Sequence, residues 1–331
     1  MEAYFDIFSG ISGNMVLGAI LDLGLDEELL KSELGKLGLD DEFTLNVDQT
    51  TKNGIAATFV EVELTARGQH LQISHDYQEA HKKNHDYEEN NNKNHGQDVN
   101  HKHNHEHDHN NTHNHNHNHN HDHAHNHNHK DSDNQKYSCQ EGHHHPGGKE
   151  RSLQDIKQLI NSSKLEPEIK EKSILIFERL ARAEALIHDT DPEKIHFHEV
   201  GATDAIIDIV GSVLGLYHLG VDRITASPLA TGTGFVNCEH GVIPVPAPAT
   251  MELLRGIPIY SNGIEKELVT PTGAAIITTL ADEFVDRPEM VIEETGYGAG
   301  SYELESPNLL RVNLFKRNTE NKSKKKLRNW N

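Results

Sequence analysis

The chain has 331 residues, room for about two domains, with 34% hydrophobic residues and a formal net charge of −21. That charge argues against nucleic acid or an anionic membrane surface as the main partner, and its effect changes near pH 6 as the 27 histidines begin to protonate. Cys139 and Cys238 stand far apart without CxxC or Cys/His spacing, which argues against a disulfide scaffold and against structural zinc.

The opening MEAYFDIFSG lacks the basic start and apolar run of a signal peptide. AYFDIF predicts a strand that turns through SGISGN into a helix over MVLGAILDLGL, where apolar residues recur at helical spacing. DEELLKSELGKLGL predicts a second amphipathic helix, acidic at its start and closing near glycine. EFTLNVDQTT and ATFVEVELTA read as alternating strands around Asn53-Gly54, a hairpin signal. These elements make an N-terminal α/β segment over 1–67.

Residues 68–148 are low-complexity Asn/His/Lys/Asp/Glu sequence. They hold too little apolar area to offset the entropy of ordering, so they read as a long disordered insertion. Beyond it, a main α/β domain is expected over 149–315. Helices are predicted in SLQDIKQLI and PEIKEKSILIFERLARAEALIH, then a short strand in KIHFHEV and a helix over DAIIDIVGSVLGLYHLG. ITASPLATGTGFVNCEHGVIPVPAPATMELLRG mixes strands, glycine turns and proline breaks before another helix. ELVTPTGAAIITTLADEF turns into a helix, and MVIEETGYGAGSYELESPNLLRVNLF alternates like strands. The tail, 316–331, is basic and polar and reads as frayed. Interspersed helices and strands give a mixed α/β fold of sheets flanked by helices, with α+β as the alternative. The most apolar stretch, AIIDIVGSVLGLYHLGV, is broken by Asp208, carries His218 and is too short and polar for a bilayer. The expectation is a cytoplasmic protein.

Three segments can carry chemistry. On a strand, His196 and His198 of HFHE share a face, and Glu199 can complete a set of imidazole and carboxylate ligands suited to nickel, zinc or iron. The competing reading is a pair of structural histidines with a solvated glutamate. Asp204 and Asp208, four apart on the next helix, share a face; they can act as acids in the site or serve as N-terminal helix charges. Two glycine- or proline-marked turns run into helices: Ser9, Gly10, Ser12 and Gly13 in one, Thr270, Thr272 and Gly273 in the other, with Ser12 and Thr270 at N-cap positions and Pro271 at the first helical position. Such starts can seat phosphate or carboxylate, or be simply well-capped helices. GGKE at 147–150 lacks the rest of a Walker A sequence, which excludes a P-loop NTPase. His240 lies with Cys238 and Glu239 in a glycine- and proline-punctuated bend that can join a site or be only a loop; Cys238 lacks a nucleophile's His–Asp context.

Between 101 and 130 stand His101, His103, His105, His107, His109, His113, His115, His117, His119, His121, His123, His125, His127 and His129. Dense neutral imidazoles bind nickel, copper and zinc through interchangeable weak arrangements. A metal-buffering tract is the favoured reading, against repeat expansion without a role. The internal position and irregular interruptions argue against an added tag.

DIFSGISGNMVLGAILDLG, IHFHEVGATDAIIDIVG, HGVIPVPAPATMELLRGIPI, ELVTPTGAAI and ETGYGAG, in this order, resemble the LarC family of nickel insertion proteins over nearly all of the chain outside the insertion and the tail. The resemblance implies insertion of Ni²⁺ into pyridinium-3,5-bisthiocarboxylic acid mononucleotide, forming one carbon–nickel and two sulfur–nickel bonds. The product is the nickel-pincer cofactor of lactate racemase-type enzymes. It implies CTP with a divalent cation, bound through a C-terminal domain or separate polypeptide, and an apo lactate racemase-type acceptor. In this reading the tract supplies nickel to His196, His198, Glu199 and His240, phosphate docks at a helix start, and Asp204 or Asp6 takes the proton from the ring carbon. Two departures follow from the resemblance: Asn14 stands where the family commonly has Asp, and KSKKKLRNWN replaces the C-terminal domain, as expected of a split or frameshifted gene. The alternatives are a non-catalytic nickel store or carrier, or a scaffold that needs a separate CTP-binding polypeptide.

Overall fold

The computed structural model describes residues 1–65, 151–195, 197, 202–238 and 241–316. The histidine-rich insertion, His196, His198, Glu199, His240 and residues 317–331 lie outside the described residues.

The chain opens with β1 (Glu2–Asp6), then α1 (Gly13–Asp22) and α2 (Glu27–Leu34). The Asp26 side chain caps α2 by accepting from the Leu29 N–H at 2.8 Å. The hairpin is formed by β2 (Phe43–Lys52) and β3 (Ile55–Leu64), and Asn53 and Gly54 take the positive φ angles, 51° and 79°, that its tight turn needs. After the insertion come α3 (Leu153–Ser162), α4 (Pro167–Ile187) and α5 (Thr203–His218). A run of short elements follows: β4 (Arg223–Ala226), β5 (Leu229–Thr231), β6 (Phe235–Cys238), β7 (Gly241–Pro244), α6 (Pro248–Leu253) and β8 (Ile259–Ser261). α7 (Pro271–Leu280), β9 (Glu283–Phe284), β10 (Val291–Ala299) and β11 (Leu309–Lys316) complete the described chain.

Seven of the described strands form one mixed sheet in the order β2-β3-β10-β11-β1-β4-β9. β1 sits inside it, antiparallel to β11 and parallel to β4, while β4 and β9 are also parallel. Strands from before and after the insertion therefore share one sheet and one compact unit. The fold is the mixed α/β type expected from the sequence.

Strand alternation divides the sheet's two faces. Ala3, Phe5 and Ile7, with Leu310, Val312 and Leu314 of β11, join the main core beneath α1, α5 and α4. Leu309 belongs instead to a second cluster with Ala57 and Ala299, against which Phe8 and Tyr297 pack. Tyr4 and Asp6 alternate with the core-facing residues of β1 and so belong to that second face.

Glycines let α1 approach the sheet. A Cβ on Gly298 would overlap the Met15 carbonyl oxygen, and one on Gly18 would overlap that of Thr58. Gly298→Ala is therefore expected to lower the unfolding free energy by about 1–3 kcal/mol, measured by urea denaturation. A loss below about 0.5 kcal/mol, the range of an innocuous surface change, would show that α1 can slide off the strand without cost.

One expected element differs. Lys194 ends a 3-10 turn, Pro192–Lys194, and Ile195 and Phe197 belong to no strand. Both are buried, Phe197 edge-on to Phe177 of α4 with ring centroids 6.4 Å apart. His196 and His198, whose shared face the expected strand would set, lie outside the described residues.

Candidate functional site

Two helix starts meet at the carboxyl end of β1. The loop after β1 pairs with the segment before α7: Ile11 N–H donates to the Leu268 carbonyl at 2.8 Å, and Thr270 N–H donates to the Ile11 carbonyl at 3.1 Å. Gly10, at φ +88°, is required here, because a side chain would run into the Leu268 backbone. A Cβ on Gly273 would strike the Ile11 carbonyl, so the first turn of α7 lies directly on the approach to α1. Ser9, Gly10, Ser12, Gly13, Thr270, Thr272 and Gly273, proposed from sequence as two separate turns, are thus brought into one junction.

The helix starts differ in how their N–H groups are used. At α7, Thr270 Oγ1 accepts from the Gly273 N–H at 3.1 Å and Pro271 has no N–H to offer. At α1, Ser12 is the N-cap residue, but its hydroxyl donates to Asn14 Oδ1 at 2.5 Å and makes no side-chain cap. The cap comes from another helix: Asp208 of α5 accepts from the Asn14 backbone N–H, and its carboxylate lies where a Cβ of Gly13 would go. The close approach that Gly10 and Gly13 permit is to this chain's own Leu268 and Asp208.

Asp204 and Asp208 lie on one face of α5, as their spacing predicts. Burial first, and the charge of Asp204 second, push the Asp208 carboxyl well above the ordinary carboxylate range; the Asn14 N–H pulls the other way. Its Oδ1 is shut from solvent and accepts no hydrogen bond, although other atoms of the residue reach the surface. Such a carboxyl can carry a proton at a pH where an ordinary aspartate cannot. Asp6 is placed otherwise. Its Oδ2 accepts from Arg287 Nη2 at 2.9 Å, from Arg311 Nε at 3.2 Å and from Arg311 Nη2.

Sequence reasoning passed over a knot at the start of α5. Arg151 donates through Nη2 to Glu42 Oε2 at 2.5 Å and through Nη1 to Thr203 Oγ1 at 3.0 Å, and the Thr203 hydroxyl donates to the same Glu42 oxygen at 2.7 Å. Only the partners' proximity in space marks these residues, which are 52 to 161 positions apart. Among the described residues no group of three or more His, Cys, Asp or Glu side chains could hold a metal ion. Also among them, no helix is long and apolar enough to cross a membrane.

The family model described as nickel insertion protein matches residues 3–329. The chain is 40% identical to the pyridinium-3,5-bisthiocarboxylic acid mononucleotide nickel insertion protein of Desulfitobacterium hafniense over 98% of its length and 61% of the relative's. Proteins of the same name from a Thermotoga species and from Clostridium kluyveri are 41% and 38% identical, over 93% and 94% of this chain and 60% and 61% of theirs. The chain thus spans about three fifths of the length of these relatives. No solved structure matches it significantly. With a family model matched across nearly its whole length, the chain belongs to the nickel insertion protein family.

Proposed function

We propose that this chain carries the nickel-insertion part of its relatives' activity. Ni²⁺ and pyridinium-3,5-bisthiocarboxylic acid mononucleotide are the substrates, and the nickel-pincer cofactor of lactate racemase-type enzymes is the product. The ring carbon between the two thiocarboxylates loses its proton as the carbon–nickel bond forms, and each thiocarboxylate contributes one sulfur–nickel bond. The proton goes to the Asp204/Asp208 pair, because a carboxyl raised by burial and by a like charge is a better proton acceptor than an ordinary one. Asp6 is instead engaged by Arg287 and Arg311, which donate three N–H groups to its Oδ2.

The observation that carries this reading is the family match over residues 3–329, joined to the convergence of two helix starts and an acid pair at one end of β1. Nickel is captured by the histidine-rich insertion and passed to His196, His198, Glu199 and His240, a ligand set of borderline donors from which thiocarboxylate sulfur can take the ion. CTP with a divalent cation, its C-terminal domain or separate polypeptide, and the lactate racemase-type acceptor belong to the same reading and rest on the family resemblance alone.

Two variants test it. Changing His196 and His198 together to Ala is expected to abolish cofactor formation while bulk nickel uptake by 68–148 persists. Deleting 68–148 is expected to leave cofactor formation intact when nickel is in excess. If the deleted protein fails with nickel, mononucleotide, CTP and any companion polypeptide supplied, the chain is a nickel carrier and the insertion reading is wrong.

A further inference from the structure

On the face of the sheet opposite α1, the carboxyl end of β1 gathers two guanidiniums around one carboxylate. Asp6 is 8% exposed, and a single oxygen, Oδ2, accepts from both Arg287 and Arg311. The arginine side chains themselves remain open to solvent, Arg287 at 59% and Arg311 at 30%. Each guanidinium has five N–H donors. Three of the combined set go to Asp6, and Arg311 also meets the Tyr297 side chain, which leaves donors on both for a ligand. The Arg311 guanidinium lies over the Phe8 ring, 5.6 Å from its centroid, which limits how far it can swing.

The surroundings suit an oxyanion. β1, β4 and β9 run parallel, and Arg287 follows β9, so the pair sits outside the carboxyl ends of parallel strands, where open α/β sheets take their ligands. Tyr4 stands beside Asp6, its phenol pushed up to about 12 by burial first and by Asp6 next, so it stays a neutral O–H. Tyr260 is raised by the same two causes. Asp286 adds a second negative charge felt at Tyr4, so the patch attracts an anion through directed donors rather than through net charge.

We propose that Arg287 and Arg311, oriented by Asp6, form a phosphate-monoester site that takes the phosphate of the mononucleotide. This rests on the substrate named above. A planar guanidinium fork matches phosphate oxygens, whereas the helix starts offered for that role already spend N–H groups on Asp208 and Thr270. The thiocarboxylates are needed at nickel, which leaves the phosphate as the substrate anion free to be held elsewhere. The six-residue loop 7–12 joins this site to the start of α1.

The test is calorimetric binding to the full chain without nickel, with nicotinic acid mononucleotide as a pyridinium carboxylate probe and its riboside as the phosphate-free control. The wild type is expected to prefer the mononucleotide, and Arg287→Ala, at an exposed side chain, is expected to weaken that binding about 10- to 100-fold while leaving riboside binding unchanged. Arg287→Lys should recover part of the loss, and inorganic phosphate should compete with the mononucleotide only where Arg287 is present. A wild type that does not distinguish the two probes, or an Arg287→Ala protein that distinguishes them as well as the wild type, overturns the site. Because no nickel is present, that outcome is separable from a failure of nickel insertion: the anion site can fall while cofactor formation stands.

Discussion

Asp208→Asn is expected to reduce nickel insertion about 100-fold or more and, at pH 8, to raise the melting temperature. The two effects share one cause. Burial and the neighbouring Asp204 raise the Asp208 carboxyl well above the ordinary range, so ionising it is unfavourable in the folded chain. A carboxyl whose folded pKa is raised stabilises the protein fully below the unfolded value, about 3.9, and that contribution is lost as pH climbs through the folded value. The wild type therefore loses stability between about pH 4 and the Asp208 transition, while asparagine has no such transition. The amide oxygen can still accept from the Asn14 N–H, so the cap on α1 is kept. Because the amide cannot ionise, the variant escapes the cost of a buried carboxylate at high pH, and each kcal/mol so gained raises the melting temperature by about 2–4 °C in a domain of this size. Thermal melts from pH 4 to pH 8 beside a cofactor-formation assay check both parts. A stability difference that does not change with pH removes the raised carboxyl, and full activity in the variant removes its role as proton acceptor.

What the sequence made legible was local. Asn53-Gly54 specifies a tight hairpin because both positions take positive φ, and the strands on either side follow. Thr270-Pro271 marks the start of α7 because a hydroxyl caps it and the proline ring presets its first φ. The spacing of Asp204 and Asp208 puts them on one face of α5. In KIHFHEV the alternation suggests a strand, but Lys194 ends a 3-10 turn and Ile195 and Phe197, both buried, belong to no strand. No pattern of period two or 3.6 could announce that Asp208 would cap α1, or that Asp6 would meet Arg287 and Arg311, 281 and 305 residues away. The first comes from α5 packing on α1, and the arginine contacts come from strand order. β11 lies antiparallel beside β1 and puts Arg311 opposite Asp6, while β4 and β9 on its other side bring up Arg287.

The same logic explains why Asp6 and Asp208 take different roles despite their common residue type. Asp6 meets two guanidiniums on the second face of the sheet and serves as a support for them. Asp208 is raised by burial first and by the neighbouring Asp204 carboxyl second, against the pull of the Asn14 N–H.

Arg151→Ala is expected to destabilise the folded chain by about 3 kcal/mol, a fall of about 6–12 °C in melting temperature for a domain of this size. The Arg151 side chain is 7% exposed and that of Glu42 17%, so removing the guanidinium leaves a carboxylate with little water to turn to. The Thr203 hydroxyl, at the first turn of α5, loses the Arg151 donor and keeps its own bond to Glu42. The loss would spread, because Glu42 holds more than the arginine: its backbone carbonyl accepts from the Thr65 N–H at 2.9 Å. Thr65 and Arg151 are the described residues on either side of 66–150, so one glutamate ties both flanks of the insertion to the start of the helix that carries Asp204 and Asp208. Glu42→Gln combined with Arg151→Met should recover most of the stability, since a neutral pair of similar volume leaves no stranded charge. The cycle formed by the two single variants and the double variant should then give a coupling of about 1–3 kcal/mol in urea denaturation. A single-variant loss below about 1 kcal/mol, the level of an exposed ion pair, would show that Glu42 finds water once the arginine is gone and that the start of α5 is held by apolar packing alone.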